Sequence, residues 1–241
     1  MQYLRSRQEG RTLRYLGGKS RYGEDIARVV RSKCTLGQTI REPFCGAGWI
    51  TQYFPLNYCV MSSDIHEPLI MLHRALQEGS WEPPDFVSEE EYNELHQQWK
   101  DGRRDHEVGF VGFACSWGGK WFAGYSRGGG RNFCLEAKES LLKKHKNLKH
   151  VTFSHTNYRN IHPQGEVIYC DPPYRGTENY SSGIFDTQMF WQVVRKWSKE
   201  NTVIVSEYEA PNDFDTIWEA EHYSMQGVDS KITTERLFTV K

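Results

Sequence analysis

The 241-residue sequence lacks long apolar stretches, paired cysteine motifs and a large net charge of either sign. No segment approaches the roughly 20 apolar residues that a membrane helix requires, and Met1 to Arg14 lacks the apolar run of a signal peptide. We therefore expect a soluble cytoplasmic protein without a membrane partner. Its six cysteines show no short paired spacing, so we predict free thiols and no metal site.

The net charge of −1 conceals an uneven distribution of charged residues. Between Lys100 and Lys149 there are eleven Lys and Arg against five Asp and Glu, which is +6, and the remainder is 19 against 26, which is −7. A locally basic segment is typical of a phosphate-binding module attached to a neutral or acidic body. A solvated helical surface of mixed charge is the alternative.

The most informative stretch runs from Val167 to Tyr174, with the sequence VIYCDPPY. Four apolar residues predict a buried parallel strand, which must end at Asp171. Ligands of open α/β sheets bind at the carboxyl edge, where Asp171 offers a carboxylate and Tyr174 a flat ring. The two prolines fix the backbone and its carbonyl groups. Such a loop suits a planar heterocycle that carries an amino group, although the same residues are also ordinary turn formers.

A second constellation lies nearer the amino terminus. A predicted strand, Thr39 to Glu42, leads into Gly46 and Gly48 and a predicted helix that continues to Phe54. Glycines at this place let a nucleotide approach the backbone. The third glycine of the dinucleotide pattern is absent, which argues against NAD. Asp64 follows Gly46 by 18 residues at the end of the next strand, where an acidic residue accepts hydrogen bonds from ribose. Its alternative role is to cap the following helix.

The middle of the chain changes character. Ser88 and Glu91 form a capping-box pattern that predicts a helix through Trp99. From Gly109 to Arg131, aromatic residues alternate with glycines and basic residues, and we predict a mobile or hairpin-like loop. Lys120, Arg127 and Arg131 are the expected phosphate or base-edge contacts. The alternative is a glycine-rich surface loop with aromatics packed beneath it.

Three separated stretches resemble one family. Tyr15 to Lys19, Glu42 to Gly48 and Asp171 to Tyr174 are similar to motifs X, I and IV of the Dam-type adenine-specific DNA N6-methyltransferases, the D12 class of the alpha group, in that class's order. The resemblance implies an α/β Rossmann-like fold with a seven-stranded mixed sheet, S-adenosylmethionine as cofactor, and a flipped adenine as acceptor. It also implies a small, mainly helical target-recognition insertion.

The resemblance carries roles onto particular residues. Residues 1–80 and 150–241 would form the catalytic domain, with 81–149 as the DNA-binding insertion. The catalytic residues would be Asp171, Pro172 and Tyr174. The cofactor-binding set would be Tyr15, Gly18, Lys19, Phe44, Gly46, Gly48, Asp64 and Asp171. Tyr15 stands where Dam enzymes usually carry Trp, and Cys115 to Phe133 resembles their DNA-reading hairpin only loosely, so no recognition sequence is implied.

The expected function is methyl transfer to the N6 amine of adenine in double-stranded DNA, by base flipping and direct in-line transfer. A restriction-modification setting in a bacterium or a phage-infected cell would suit such an enzyme, as a monomer or weak dimer. The alternatives are a cytosine N4 DNA methyltransferase, an RNA or small-molecule amine methyltransferase on the same fold, and an inactive cofactor-binding protein that binds DNA.

Overall fold

The structure is a computed structural model that describes residues 19, 21–174, 185–226 and 229–241. Within these ranges one sheet contains seven strands. They are β1 (Thr39–Glu42), β2 (Cys59–Asp64), β3 (Val151–His155), β4 (Val167–Cys170), β5 (Thr202–Glu207), β6 (Phe214–Gln226) and β7 (Asp229–Val240).

Helices cover the sheet and build the middle of the chain. They are α1 (Gly23–Ser32), α2 (Glu67–Glu78), α3 (Glu89–Lys100), α4 (His106–Ala114), α5 (Phe133–His145) and α6 (Thr187–Trp197). None of the helices in the described ranges has the length and apolar character needed to cross a bilayer.

The strand order is β3-β2-β1-β4-β5-β7-β6. The first five strands in this order are parallel, whereas β7 runs antiparallel to both β5 and β6. This arrangement confirms the predicted seven-stranded mixed sheet. The chain moves outward from β1 to β2 and β3 and later returns to place β4 on the other side of β1. A ligand crevice is expected at this reversal, outside the carboxyl ends of β1 and β4.

Strand β4 is buried on both faces, as predicted from its four apolar residues. Val167 and Tyr169 join a core with α1 and the centre of the sheet, and Ile168 and Cys170 join a second core with α6. Because packing on both faces holds the strand in place, its last residue has a fixed position. The loop that begins at Asp171 therefore starts from a fixed point at the carboxyl edge of the sheet.

The helical segment, residues 81–149, packs directly on helix α2, which follows strand β2. Its apolar residues form one core with Leu69 and Leu72 of α2 and with Ala47 and Trp49 from the loop after β1. The Ser88–Glu91 capping box at the start of α3 is confirmed. The division of the chain at residues 81 and 149 stays a prediction.

The predicted loop from Gly109 onward is wrong at its beginning, because Gly109 and Gly112 lie inside α4. Both glycines are needed for close packing: a Cβ on Gly109 would lie 2.1 Å from the Pro68 carbonyl oxygen, and one on Gly112 would lie 2.3 Å from the Trp121 ring. The rest of the stretch is hairpin-like, since Ser116 and Tyr125 form an antiparallel bridge. In α4, the close packing against Pro68 and Trp121 therefore outweighs the low helix propensity of the two glycines.

Two other expectations need correction. The helix expected after Gly48 is a series of turns followed by a short 3-10 helix, Thr51–Tyr53. The second correction is an omission, since the long hairpin in which β7, from Asp229, pairs with β6 is not predicted from the sequence. Side-chain alternation is weak in this hairpin, and the pairing of its two strands supplies the hydrogen bonds that a sequence pattern does not reveal.

Candidate active site

Three strand ends meet at the reversal of the sheet. Strand β1 ends at Glu42 before the glycine loop, β2 ends at Asp64, and β4 ends before Asp171. The sheet thus brings together the two constellations that the sequence separates by more than a hundred residues. Tyr15 and Gly18 lie outside the described residues.

Asp171 is held beside a cation. The Lys19 ammonium lies 3.1 Å from its Oδ1, and the two side chains are only 10% and 19% exposed. Burial raises the pKa of Asp171 to about 6, and the charge of Lys19 opposes that rise. Burial lowers the pKa of Lys19, but the charges of Asp171 and Glu235 more than compensate, so its pKa lies above the usual value. Near pH 7.5 the pair is therefore an ionised carboxylate and an ammonium.

The hydroxyl group of Tyr174 is fixed by three side chains. It accepts a hydrogen bond from Lys19, donates one to Glu235, and lies 3.0 Å from the Ser206 Oγ. Glu235 also lies 3.4 Å from the Lys19 ammonium. Ser206 and Glu235 come from β5 and β7, two neighbouring strands, and neither was identified from the sequence. Only the fold reveals them, because the residues lie far from Tyr174 in the chain.

The ring of Tyr174 is also packed. Lys19 Nζ lies 4.0 Å from its centroid, and Tyr208 makes an edge-to-face contact with a centroid distance of 4.7 Å. Burial raises the pKa of Tyr174 well above the ordinary value of a phenol, so the hydroxyl stays protonated. The orientation of the ring is therefore determined by the protein alone.

The glycine loop is tied to β2 through Asp64. Gly46 and Gly48 have φ angles of 46° and 69°, in the region that favours glycine. The Gly46 amide donates to Asp64 Oδ2 and the His66 amide donates to Oδ1, both at 2.9 Å. His66, not Asp64, is the residue that precedes α2 at its cap position. Asp64 therefore connects the loop to the sheet edge and does not occupy the N-cap of α2.

Glu42 is a third carboxylate at this edge, and sequence reasoning assigned it no role. It is buried and accepts a hydrogen bond from the Thr51 hydroxyl. Burial, together with the negative charges of Asp171 and Asp64, raises its pKa to about 8, although the Thr51 hydrogen bond opposes the rise. Glu42 is therefore mostly protonated at pH 7. The signal available in the sequence was its position, directly before the glycine loop.

The glycine loop is supported from behind by polar side chains of α2 and α5. Lys144, only 3% exposed, donates to the Ala47 carbonyl group and lies 4.1 Å from the Trp49 ring centroid. Burial lowers the pKa of Lys144 to about 7. His73 contacts the Gly46 carbonyl oxygen at 2.9 Å. Since α5 belongs to the helical segment, the two parts of the protein meet directly at this loop.

Phe44 lies in an aromatic cluster beside the loop. Its ring centroid is 5.1 Å from that of Tyr158, at the end of β3, and 5.8 Å from that of Phe190 of α6. Phe44 is partly buried, as is its neighbour Asp64 across the edge, while Ile65 exposes 45% of its surface. This part of the edge therefore presents apolar and aromatic surface next to a carboxylate.

The three basic residues predicted to contact DNA lie in the helical segment or its loop. Arg127 is 74% exposed and forms an ion pair with Glu89, and Arg131 donates to Glu136 at 3.0 Å. Lys120 is partly buried after the turn Trp117–Gly119. The two arginines are therefore oriented by nearby glutamates.

In the described part of the chain, no three His, Cys, Asp or Glu side chains are grouped in a way that would hold a metal ion.

Comparison with known proteins finds a family match over part of the chain. The family model for D12 class N6 adenine-specific DNA methyltransferase matches residues 15–112, which include the glycine loop and Asp64. The match confirms the resemblance found in the sequence. The match, which spans fewer than half of the residues, and the sheet topology both fit a methyltransferase that depends on S-adenosylmethionine. Asp171 to Tyr174 lie beyond the matched residues.

Several solved methyltransferases are similar to the chain at low sequence identity. The chain is similar to rRNA methyltransferase aviRa from Streptomyces viridochromogenes, at 12% identity and a TM-score of 0.39, with 90% of this chain and 84% of that chain covered. An rRNA methylase from Streptococcus thermophilus matches at 7% identity and a TM-score of 0.38, covering 91% and 95%. Magnesium protoporphyrin IX methyltransferase from Synechocystis PCC 6803, with bound SAM, matches at 11% and 0.38, covering 92% and 80%. These values are too low to bear on the substrate, and no curated protein matches the chain.

Proposed function

We propose that this protein transfers a methyl group from S-adenosylmethionine to the N6 amine of adenine in double-stranded DNA. The observation that carries the proposal is the position of Asp171, Pro172 and Tyr174 at the end of β4, directly beside the glycine loop of β1. The family match over residues 15–112 supports the adenine and DNA specificity.

The residues at the sheet edge fit the cofactor. A carboxylate has about four acceptor positions, and Asp64 uses one on each oxygen for backbone amides. Acceptor capacity therefore remains for the hydroxyl groups of a ribose. Gly46 and Gly48 have positive φ angles, which let the loop turn tightly at the strand end where a nucleoside would approach. Phe44 and Ile65 provide apolar surface for its base.

The bound cofactor would supply an electrophilic methyl group on a sulfonium. The protein must make a poor nucleophile reactive, because the lone pair of the adenine amine is delocalised into the ring. Asp171 and the carbonyl group of Pro172 would accept the two N6 hydrogens and so favour a pyramidal nitrogen. This is catalysis by positioning and electrostatic stabilisation. It requires the ionised form of Asp171, whose pKa of about 6 provides that form at neutral pH.

Tyr174 would contact the extruded base. An adenine inside a duplex is out of reach, so the base must leave the stack. The contacts to Lys19, Ser206 and Glu235 orient the Tyr174 side chain before any base arrives. Preorganisation of this kind lowers the entropic cost of binding.

The helical segment would hold the DNA backbone and read the sequence. Its loop from Ser116 to Tyr125 is closed by a bridge and anchored by Tyr92, whose hydroxyl group accepts from the Gly124 amide at 3.1 Å. Trp117 projects from this loop with 64% exposure. We assign Lys120, Arg127 and Arg131 to phosphate or base contacts. Single replacement of a phosphate contact should lower the salt dependence of DNA binding by about one unit, whereas a base contact should relax sequence choice.

The test is product analysis. Unmethylated duplex DNA of several kilobases is incubated with the protein and labelled S-adenosylmethionine, digested, and examined by mass spectrometry. N6-methyladenine without N4-methylcytosine is expected, and Asp171→Asn should abolish it. Asp213→Asn is the matched control, since Asp213 is an exposed partner of Arg195 far from this edge in the fold. Label in N4-methylcytosine, or in an RNA arm and not in DNA, would contradict the proposal, as would an active Asp171→Asn enzyme.

A further inference from the structure

Glu235 contacts several side chains of the candidate site, although no sequence motif identifies it. It lies on β7 with a side chain that is only 6% exposed. Its carboxylate accepts hydrogen bonds from the Tyr174 hydroxyl and, at 2.5 Å, from the Ser206 hydroxyl, and it lies 3.4 Å from the Lys19 ammonium. These partners come from three separate parts of the chain.

The charges in this cluster are not balanced. Two carboxylates, Asp171 and Glu235, share the single ammonium of Lys19. Burial of a charged group is costly, and a buried ion pair gives little stability compared with apolar packing. A strand in a hairpin has no structural need for a buried carboxylate at this place. The arrangement is therefore better explained by the chemistry of the neighbouring loop than by stability.

We propose that Glu235 is a positioning residue for methyl transfer, which acts through Lys19 and Tyr174. By drawing Lys19 toward a second carboxylate, it keeps the ammonium from pairing fully with Asp171, so that Asp171 can accept the hydrogens of the target amine. By accepting from the Tyr174 hydroxyl, it fixes the ring that meets the base. This inference rests on the proposed function.

The electrostatic consequence has a definite sign. Asp171 is faced by Lys19, Tyr174 and Glu235, with Glu42 on the neighbouring β1 and Tyr169 on its own strand. The negative charge of Glu235 raises the pKa of Asp171, whereas Lys19 lowers it. Replacement of Glu235 by an uncharged residue should therefore lower the pKa of Asp171. A purely structural role would instead lower activity only in parallel with stability.

The test compares Glu235→Gln with Glu219→Gln. The first variant keeps the size and one acceptor of the side chain, and the second removes an exposed glutamate from the adjacent strand β6. For Glu235→Gln we expect kcat to fall about 10- to 100-fold, the loss typical of a hydrogen-bonded charged group. The acidic limb of the kcat profile should also move to lower pH. Glu219→Gln should behave as the wild type.

A measurement without substrate separates this inference from the proposed function. Carbon NMR titration of the Asp171 carboxyl group should show a lower pKa in Glu235→Gln than in the wild type. If the wild type methylates no DNA, the proposed function fails, and the titration still decides whether Glu235 controls Asp171. Unchanged kcat together with an unmoved titration would overturn the inference. So would a variant whose activity falls only in parallel with its melting temperature.

Discussion

Lys19→Met offers the sharpest test of the electrostatics at this site. The substitution keeps an unbranched side chain of similar length but removes the ammonium that lies 3.1 Å from Asp171. Lys19 lowers the pKa of Asp171, so its removal must raise that pKa above about 6. Because the proposed methyl transfer requires the carboxylate, lowering the pH should abolish the activity of the variant at a higher pH than that of the wild type.

The size of the effect follows from the ion-pair distance. A neighbouring opposite charge typically shifts a carboxyl pKa by roughly 1 to 3. Starting from about 6, this shift places the acidic limb of the variant's pH–rate profile at roughly pH 7 to 9. At pH 7.0 about 90% of wild-type Asp171 would be ionised, against roughly 50% to 1% in the variant. The rate at pH 7.0 should therefore fall by roughly 2- to 100-fold and recover in large part by pH 9.5.

The assay is single-turnover methyl transfer at saturating cofactor, measured from pH 5 to 9.5. Saturation separates loss of the carboxylate from weaker cofactor binding, since the sequence assigned Lys19 to the cofactor. Lys19→Arg is the matched control, because it keeps the positive charge and should keep the limb near its wild-type position. A limb that stays near pH 6 in Lys19→Met would refute the assignment of the profile to Asp171 and its ion pair.

Three further outcomes are expected. Asp64→Ala should weaken S-adenosylmethionine binding by about 1 to 3 kcal/mol in calorimetry, with Asp64→Asn less affected, and equal affinity in a folded variant would remove Asp64 from the site. Gly109→Ala should lower the free energy of unfolding by about 1 to 3 kcal/mol in urea titration, because its Cβ would collide with the Pro68 carbonyl group. Burial raises the pKa of Glu42 from 4.5 to about 8, so its contribution to stability is full below pH 4.5 and is lost as pH rises through 8. Glu42→Gln should flatten that loss in unfolding experiments across this range, and an unchanged slope would count against a buried, protonated Glu42.

The sequence predicts those parts of the fold that local patterns determine. The four apolar residues before Asp171 identified the central strand, because a strand covered on both faces has no polar positions. Gly46, Gly48 and Asp64 identified the edge at which β1 and β2 end. Their spacing reflects the geometry of one strand, one turn and one further strand.

The remaining parts depend on contacts between distant segments. Helix α4 was missed because its glycines have low helix propensity, and their purpose becomes visible only against Pro68 and Trp121. Glu235 and Ser206 belong to the candidate site only because β5 and β7 are neighbours in the sheet. The burial of Lys144 could not be predicted either, because a lysine near the carboxyl end of a helix is usually exposed.

The contact between Lys144 and the Ala47 carbonyl group limits how this protein can be recombined with its relatives. A chimera that replaced all of residues 81–149 would contain a different α5. The Ala47 carbonyl group would then lose its hydrogen-bond donor, and the core shared with α2 would be disrupted. If the proposed function is right, transfer of DNA specificity between related chains should therefore succeed by exchange of the loop between α4 and α5, residues 115–132. Those boundaries retain the residues of α4 and α5 and the contact between Lys144 and the Ala47 carbonyl group.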